Sequence, residues 1–320
     1  MAPVPHKLRY FHVAFFATVM GTAGLALGWL KAHEVLALPA WPGAALRVLA
    51  LLLLLAVTLS YAFKILRHRD EVREELQHPV KMSFFPAFSV SLVLASMLLL
   101  DISMPVSHGF WLAGAAIHLL LTFNVLTQWM HQPHFRIHHG TPAWFIPVVG
   151  NILLPIAGVR HGYIELSWFF FSIGLVYWIV LKVLIFNRII FHEPMPAKLL
   201  PTLFILIAPP SVGFLSYLQL TGGELNDFAR ILYFSGLFIL LLLLVQWRRF
   251  LSAQFFLSWW AYSFPLAAFS IASQVYYQQV GHQAFQVIAY GSLALATAVI
   301  GMLLFRTLAA IRDGNLFVPD

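Results

Sequence analysis

Hydrophobic positions along the chain gather into long, nearly uninterrupted blocks separated by short polar connections. A run of ~20 apolar residues crosses ~30 Å of hydrocarbon at ~1.5 Å per residue. Ten blocks come close to that length, near residues 10–30, 46–66, 82–100, 109–130, 142–159, 166–187, 199–220, 228–247, 255–278 and 283–308. The short connections make consecutive spans antiparallel neighbours. The pattern therefore predicts an all-α membrane protein of ten transmembrane helices paired as five helical hairpins. No segment reads as a separate soluble domain, so residues 1–320 are expected to form a single transmembrane domain. The first block follows Lys7 and Arg9. It exceeds the ~7–15 residues of a signal-peptide core and precedes no convincing cleavage site, so it reads as a retained span.

The ten blocks are of two kinds. Odd-numbered spans contain Pro86, Pro142, Pro147, Pro155, Pro201, Pro209, Pro210 and Pro265. Even-numbered spans contain none and hold runs such as "LALLLLLAV" and "LFILLLLLVQW". Proline removes a backbone donor, a defect tolerated at membrane depth only where protein or a water-filled cavity surrounds it. Smooth Leu-rich helices suit lipid. The alternation predicts odd helices inside, around a central pore, and even helices outside. The first span breaks instead with Gly21, Gly24 and Gly28.

Composition supports the membrane reading. The chain is 61% hydrophobic and 10% charged, with a mean hydropathy of +0.83, more apolar surface than one soluble core can hide. Absence of cysteine excludes disulfides and thiolate metal sites. Of the nineteen Lys and Arg, fourteen fall at the termini and in the connections after even-numbered spans, and four on the other side. The positive-inside rule then places both termini in the cytoplasm of a multi-pass protein of the cell's inner (plasma) membrane. Lys182, near the end of span six, is close enough to snorkel outward. Membrane insertion and anionic lipids account for the net charge of +7, with no need for nucleic acid.

No Asp, Glu, Lys or Arg lies within the apolar stretch of any odd span. Their polar content is hydroxyls and amides such as Ser89, Asn151, Ser211, Ser263 and Gln274. Such a lining could partly desolvate an anion without trapping it, as conduction requires. The same small residues also permit close helix packing. A coupled carrier usually has a titratable group or strong clamp at mid-membrane, and the inner spans offer none. A channel for small anions such as chloride or nitrate is thus favoured over a proton-coupled transporter of C4-dicarboxylate, sulfite or tellurite-type oxyanions. No nucleophile–base pair, carboxylate dyad or nucleotide loop suggests an enzyme, and no cofactor is expected.

Five stretches carry a resemblance: "VMGTAGLALGW" (19–29), "HPVKMSFFP" (78–86), "PVVGN" (147–151), "LIAPPSVGFLSY" (206–217) and "WWAYSFPLA" (259–267). They are similar to the tellurite-resistance/dicarboxylate-transporter family, which includes bacterial TehA and plant guard-cell slow anion channels. The resemblance implies a homotrimer with one pore in each protomer. It also implies a pore plugged by a phenylalanine of the ninth helix, here Phe264 within "WWAYSFPLA". By helical rise Phe264 lies ~13–14 Å into the membrane, directly before Pro265. Phe16 matches a second pore-facing aromatic, with Phe15 as the competing register. The helix breaks and lining at Pro86, Asn151, Pro209, Pro210, Ser211, Ser263 and Pro265 complete the candidate site. Two positions depart from relatives: Ile152 and Ser211 stand where an aromatic occurs in some of them.

One motif remains. His134, His138 and His139 spell H-x-x-x-H-H, which resembles a histidine box of membrane di-iron desaturases, and His131 stands beside them. A di-iron site of that kind needs about eight histidines. The remaining histidines are scattered singly. The cluster is expected to be a solvated loop between spans four and five, with no metal.

Overall fold

The computed structural model describes residues 6–132, 135–251, 255–314 and 316–317. Among these residues all regular structure is helical. In chain order the apolar helices are α1 (Val13–Leu36), α2 (Trp41–Arg67), α3 (Lys81–Leu99), α4 (Met104–His131), α5 (Pro142–Gly158), α6 (Ile164–Phe191), α7 (Ala197–Leu220), α8 (Asp227–Val245), α9 (Ser263–Val280) and α10 (Gln283–Arg312). Eight of them, all but α5 and α9, are long and apolar enough to cross a membrane. The blocks at 142–159 and 255–278 are helical too, but α5 is short, opens with one 3-10 turn and is interrupted by a second. α9 carries Gln274, Gln278 and Gln279 among its apolar residues.

Sequence neighbours pack in pairs: α1 on α2, α3 on α4, α5 on α6, α7 on α8 and α9 on α10. The odd-numbered helices also touch one another in order, and α9 returns to pack on α1. Burial follows this division. The most apolar window of α1, α3 and α7 is 72% buried inside the protein, against 28–39% for α2, α4, α6, α8 and α10. Exposed side chains on the latter, such as Leu52, Leu55, Val183 and Phe238, form an apolar outer surface.

The helix breaks read from proline take a specific form. Each odd-numbered helix opens with 3-10 structure: Val13–Phe15, Lys81–Phe84, Pro142–Trp144, Ala197–Ile207 and, ahead of α9, Leu257–Tyr262. The α-helical part then begins in α3 at Pro86, in α5's last segment at Pro155, and in α7 just before Pro209 and Pro210. Proline belongs in a first turn because its missing N–H has no intrahelical partner there anyway. These prolines therefore mark 3-10-to-α junctions rather than kinks in mid-helix.

Small residues on the outer helices let the pairs close. A Cβ at Gly114 of α4 would come within 2.8 Å of Val93, and one at Gly174 of α6 within 2.7 Å of the Ile152 backbone. A charged connector, Arg69–Gln77, docks on α2 through a buried ion pair. Lys64 Nζ donates to Glu75 at 2.7 Å and to the Phe11 carbonyl at 2.9 Å, while the Tyr61 hydroxyl donates to the other Glu75 oxygen at 2.8 Å. Three hydrogen bonds offset the desolvation of two charges, the condition under which such a pair is tolerated.

Candidate functional site

At one end of the bundle the 3-10 segments of α1, α3, α7 and α9 frame a vestibule of about 680 Å³. Its wall carries Arg9, Lys64, Lys81 and Lys198 together with Glu71, Glu74 and Glu75. Two of the carboxylates are engaged, Glu71 with Arg9 at 2.6 Å and Glu75 with Lys64. His12 and His78 also face this space. The Nδ1 of each accepts a backbone N–H, from Ala14 at 2.9 Å and Val80 at 3.1 Å, so both rings fix turns at the rim.

The vestibule narrows to a cavity of about 80 Å³ that shares Ala14, Phe84, Leu257 and Ser258 with it. Every residue lining the cavity comes from an odd-numbered helix or its 3-10 lead-in. α1 supplies Ala17 and Met20, α3 Ala87 and Val90, α5 Phe145 and Val149. α7 adds Ala208 and Val212, and α9 adds Phe264 with Trp260 from its lead-in. The wall is apolar, and Ser258 at its vestibule edge supplies its one hydroxyl among the described residues.

Phe264 is half-buried and meets α1 where that helix has no side chain. A Cβ at Gly24 would stand 3.3 Å from Phe264 Cδ2 and 3.0 Å from Ala267 Cβ. The glycine thus makes room for the ring to lie against the α1 backbone.

The structure brings Phe264, Pro265 and Pro209 together on the cavity wall. It sets the other sequence candidates elsewhere. Phe16 packs between Tyr61 of α2 and Phe88, at ring-centroid distances of 6.2 and 5.1 Å, and Phe15 stacks on Phe11 at 4.5 Å. Pro86 and Pro210 stand in the first turns of their α-helical segments, off the lining. Ser211 and Ser263 are buried and donate to carbonyls of their own helices, Ile207 at 2.8 Å and Trp260 at 2.6 Å. Asn151 is buried as well, its Nδ2 donating to Val148 O at 2.7 Å and Thr122 Oγ1 at 3.1 Å. The serines satisfy carbonyls of their own helices and Asn151 ties α5 to α4, while the cavity they surround is left to methyl groups and rings.

Sequence reasoning missed Phe84, Phe145 and Trp260 as wall residues. A signal for two of them was present: "SFFP" (83–86) and "WFIP" (144–147) share with "SFP" (263–265) an aromatic one or two positions before a proline. At the 3-10-to-α junction that spacing turns the ring inward three times.

The histidine cluster lies away from the cavity. His131 ends α4, exposed, and His138 and His139 meet edge to face at 4.2 Å. His139 Nδ1 accepts the Arg136 N–H at 3.1 Å. His134 falls outside the described residues. Among the described residues no group of three or more His, Asp or Glu side chains is placed to hold a metal ion.

The sequence is similar to known proteins over nearly its whole length. The SLAC1 family profile, described as voltage-dependent anion channel, matches residues 10–308. The chain is 29% identical over 316 residues to the S-type anion channel SLAH3 of Arabidopsis thaliana, covering 95% of this chain and 49% of that protein. It is 30% identical over 329 residues to S-type anion channel SLAH2 of the same plant, covering 99% and 62%. To the tellurite resistance protein TehA homolog of Haemophilus influenzae it is 24% identical over 306 residues, covering 95% and 92%. The chain thus spans about half to three-fifths of the plant relatives and nearly all of the bacterial one. It is a multi-pass membrane protein and belongs to the SLAC1 family of anion channels and transporters.

Proposed function

We propose that the chain forms a channel for small inorganic anions such as chloride or nitrate, closed by the ring of Phe264. The observation that carries this reading is the succession of a wide charged vestibule and a narrow apolar cavity with Phe264 on its wall. Basic side chains at a mouth raise the local concentration of anions, and an apolar constriction stops them by refusing to replace their water. The closed order of contacts among odd-numbered helices supports five hairpins around this path, with α5 and α9 completing ten spans. The single domain, the homotrimer and the plasma-membrane location go with this reading. The excess of Lys and Arg at the termini and in the connections after even-numbered spans supports a cytoplasmic vestibule mouth and cytoplasmic termini in this reading. Lipid covers the outer helices.

The alternative, a proton-coupled carrier of C4-dicarboxylate, sulfite or tellurite-type oxyanions, draws on the similarity to the TehA homolog. Reversal potentials of the reconstituted protein separate the two. A channel's potential follows the anion gradient and ignores an imposed proton gradient at fixed pH on the vestibule side. A potential that moves with the proton gradient under those conditions supports the carrier instead.

A further inference from the structure

We propose that His118 is a proton-binding site set in the wall of the cavity, where a proton on its ring and an anion in the cavity stabilise each other. The inference rests on the reading of that cavity as the anion path. His118 belongs to α4, an outer helix, yet it is fully buried between α3 and α5. Its hydrogen bonds fix the tautomer. The Ser89 hydroxyl donates to the Pro86 carbonyl at 2.9 Å, so its oxygen accepts from His118 Nδ1–H at 2.8 Å. Nε2 is therefore a bare acceptor, and it has no partner. It is aimed at Gly150, where a Cβ would stand 2.9 Å from Nε2 and 2.7 Å from Cε1. Gly150 itself lines the cavity, so one strand of backbone separates the ring from the space where the anion would pass.

A second acceptor lies in the same cluster. Asn151 Nδ2 must point to Val148 O and Thr122 Oγ1, because Thr122 gives its own hydrogen to the His118 and Pro147 carbonyls. That leaves Asn151 Oδ1 buried without a donor. Buried acceptors without a partner call for one, and a proton can supply it here only if an anion arrives with it, because an apolar surround opposes a lone charge. The contacts to the ring come from Ser89 of α3 and Gly150 of α5, with Val90 of α3 beside them. None is charged. The other histidines of α4, His108 and His131, are ten and thirteen positions away, ~15–20 Å along the helix. A buried imidazolium needs a counter-charge, and the cavity is where one would arrive. By linkage, whatever a bound anion does for the proton, the proton does for the anion.

The test is nitrogen NMR of histidine-labelled protein in lipid nanodiscs, with His118 assigned by loss of its signal in His118→Asn. Asparagine keeps a donor for Ser89 but cannot take a proton; His118→Gln serves for assignment if the first variant fails to fold. The parent should show a neutral ring protonated on Nδ1 at about pH 8, with a charged form that appears only as the pH is taken down to about 4 and is larger in chloride than in gluconate. A ring that stays neutral over this range, or titrates identically in both salts, overturns the proposal. In parallel, anion current through Phe264→Ala should rise roughly three- to tenfold over the same pH range, and the rise should vanish when His118→Asn is added. A rise that survives His118→Asn also overturns it. Failure of Phe264→Ala to conduct sinks the channel reading, while the anion-dependent titration still decides the proton site.

Discussion

The inner helices α1, α3 and α7 and the outer helices α2, α6 and α8 reverse the rule that the most hydrophobic segments are the most buried. Mean hydropathy of the best window is 1.7–1.9 in the inner set and 2.3–2.4 in these three outer helices, yet burial is 72% against 28–39%; outer α4, at 1.6 and 33% buried, shows that low hydropathy alone does not bring a helix inside. In lipid there is no hydrophobic gain from moving a leucine inside, so packing and hydrogen bonding decide what goes there. The inner helices carry the Gly, Ser, Thr and Pro residues that allow backbones to approach and hydroxyls to cross-link. Ser216 donates to the Ile152 carbonyl, and Gln274 reaches the Gly28 carbonyl at 3.2 Å. The outer helices expose Leu, Val and Phe on their outward faces and touch the ring through single small positions such as Gly114 and Gly174.

The largest test of this division replaces one phenylalanine from each class. Phe264→Ala empties part of the cavity wall without adding charge, and anion current should rise on the order of tenfold or more while selectivity over cations is kept. Phe264→Leu, which keeps more of the lumen filled, should raise it less. Phe238, 66% exposed on α8, should change current little when truncated to Ala. Equal currents from well-folded Phe264→Ala and the parent would remove Phe264 from the path.

A smaller effect separates inner from outer glycines. A Cβ on Gly21 of α1 would overlap the Ser263 side chain and stand 3.2 Å from Trp260. Gly21→Ala should therefore lower stability in detergent by about 1–3 kcal/mol, the range for overpacking a filled interior. Gly301 of α10 has nothing within 4 Å of an added Cβ. Gly301→Ala should be neutral or stabilising by up to ~1 kcal/mol, through helix propensity alone. Thermal unfolding of the two variants beside the parent reads both; a reversed order would break the assignment of inner and outer.

The division into two kinds of helix was legible in the sequence because proline placement reports on backbone surroundings. Which side chain faces the cavity was much less so. Membrane helices are apolar on every face, so hydrophobic periodicity gives no rotation, and Ala17 and Met20 rather than Phe16 line the wall of α1. The serines read as polar content of a pathway also satisfy carbonyls inside the wall, a choice set by local geometry that composition does not record. A search confined to odd-numbered spans could not find His118, whose helix is outer while its side chain points inward. The pairing of Lys64 with Glu75 depends on the fold of Arg69–Gln77 against α2, which no local pattern records.

The smallest expected effect lies on the seam between an inner and an outer helix at the end away from the vestibule. His161, in the connection from α5 to α6, places Nε2 3.1 Å from the Ser107 hydroxyl of α4 and 3.5 Å from that of Ser96 on α3. Its ring lies 5.2 Å from His108 and 6.1 Å from Trp111. Partial burial, and then the positive neighbours His108 and Arg160, hold its pKa below the ordinary 6.5. The unfolded chain therefore binds this proton more readily than the folded one. Stability linked to His161 is complete above about pH 6.5 and is lost as pH falls from there toward the lowered folded value. His161→Gln keeps a group for Ser107 without a titrating charge. The parent's unfolding temperature should drop more than the variant's between about pH 7 and about pH 5. The difference should be modest because the ring is partly open to solvent, which weakens each of its electrostatic contacts. Parallel pH profiles for parent and variant would mean that protonation of His161 takes no part in holding this seam.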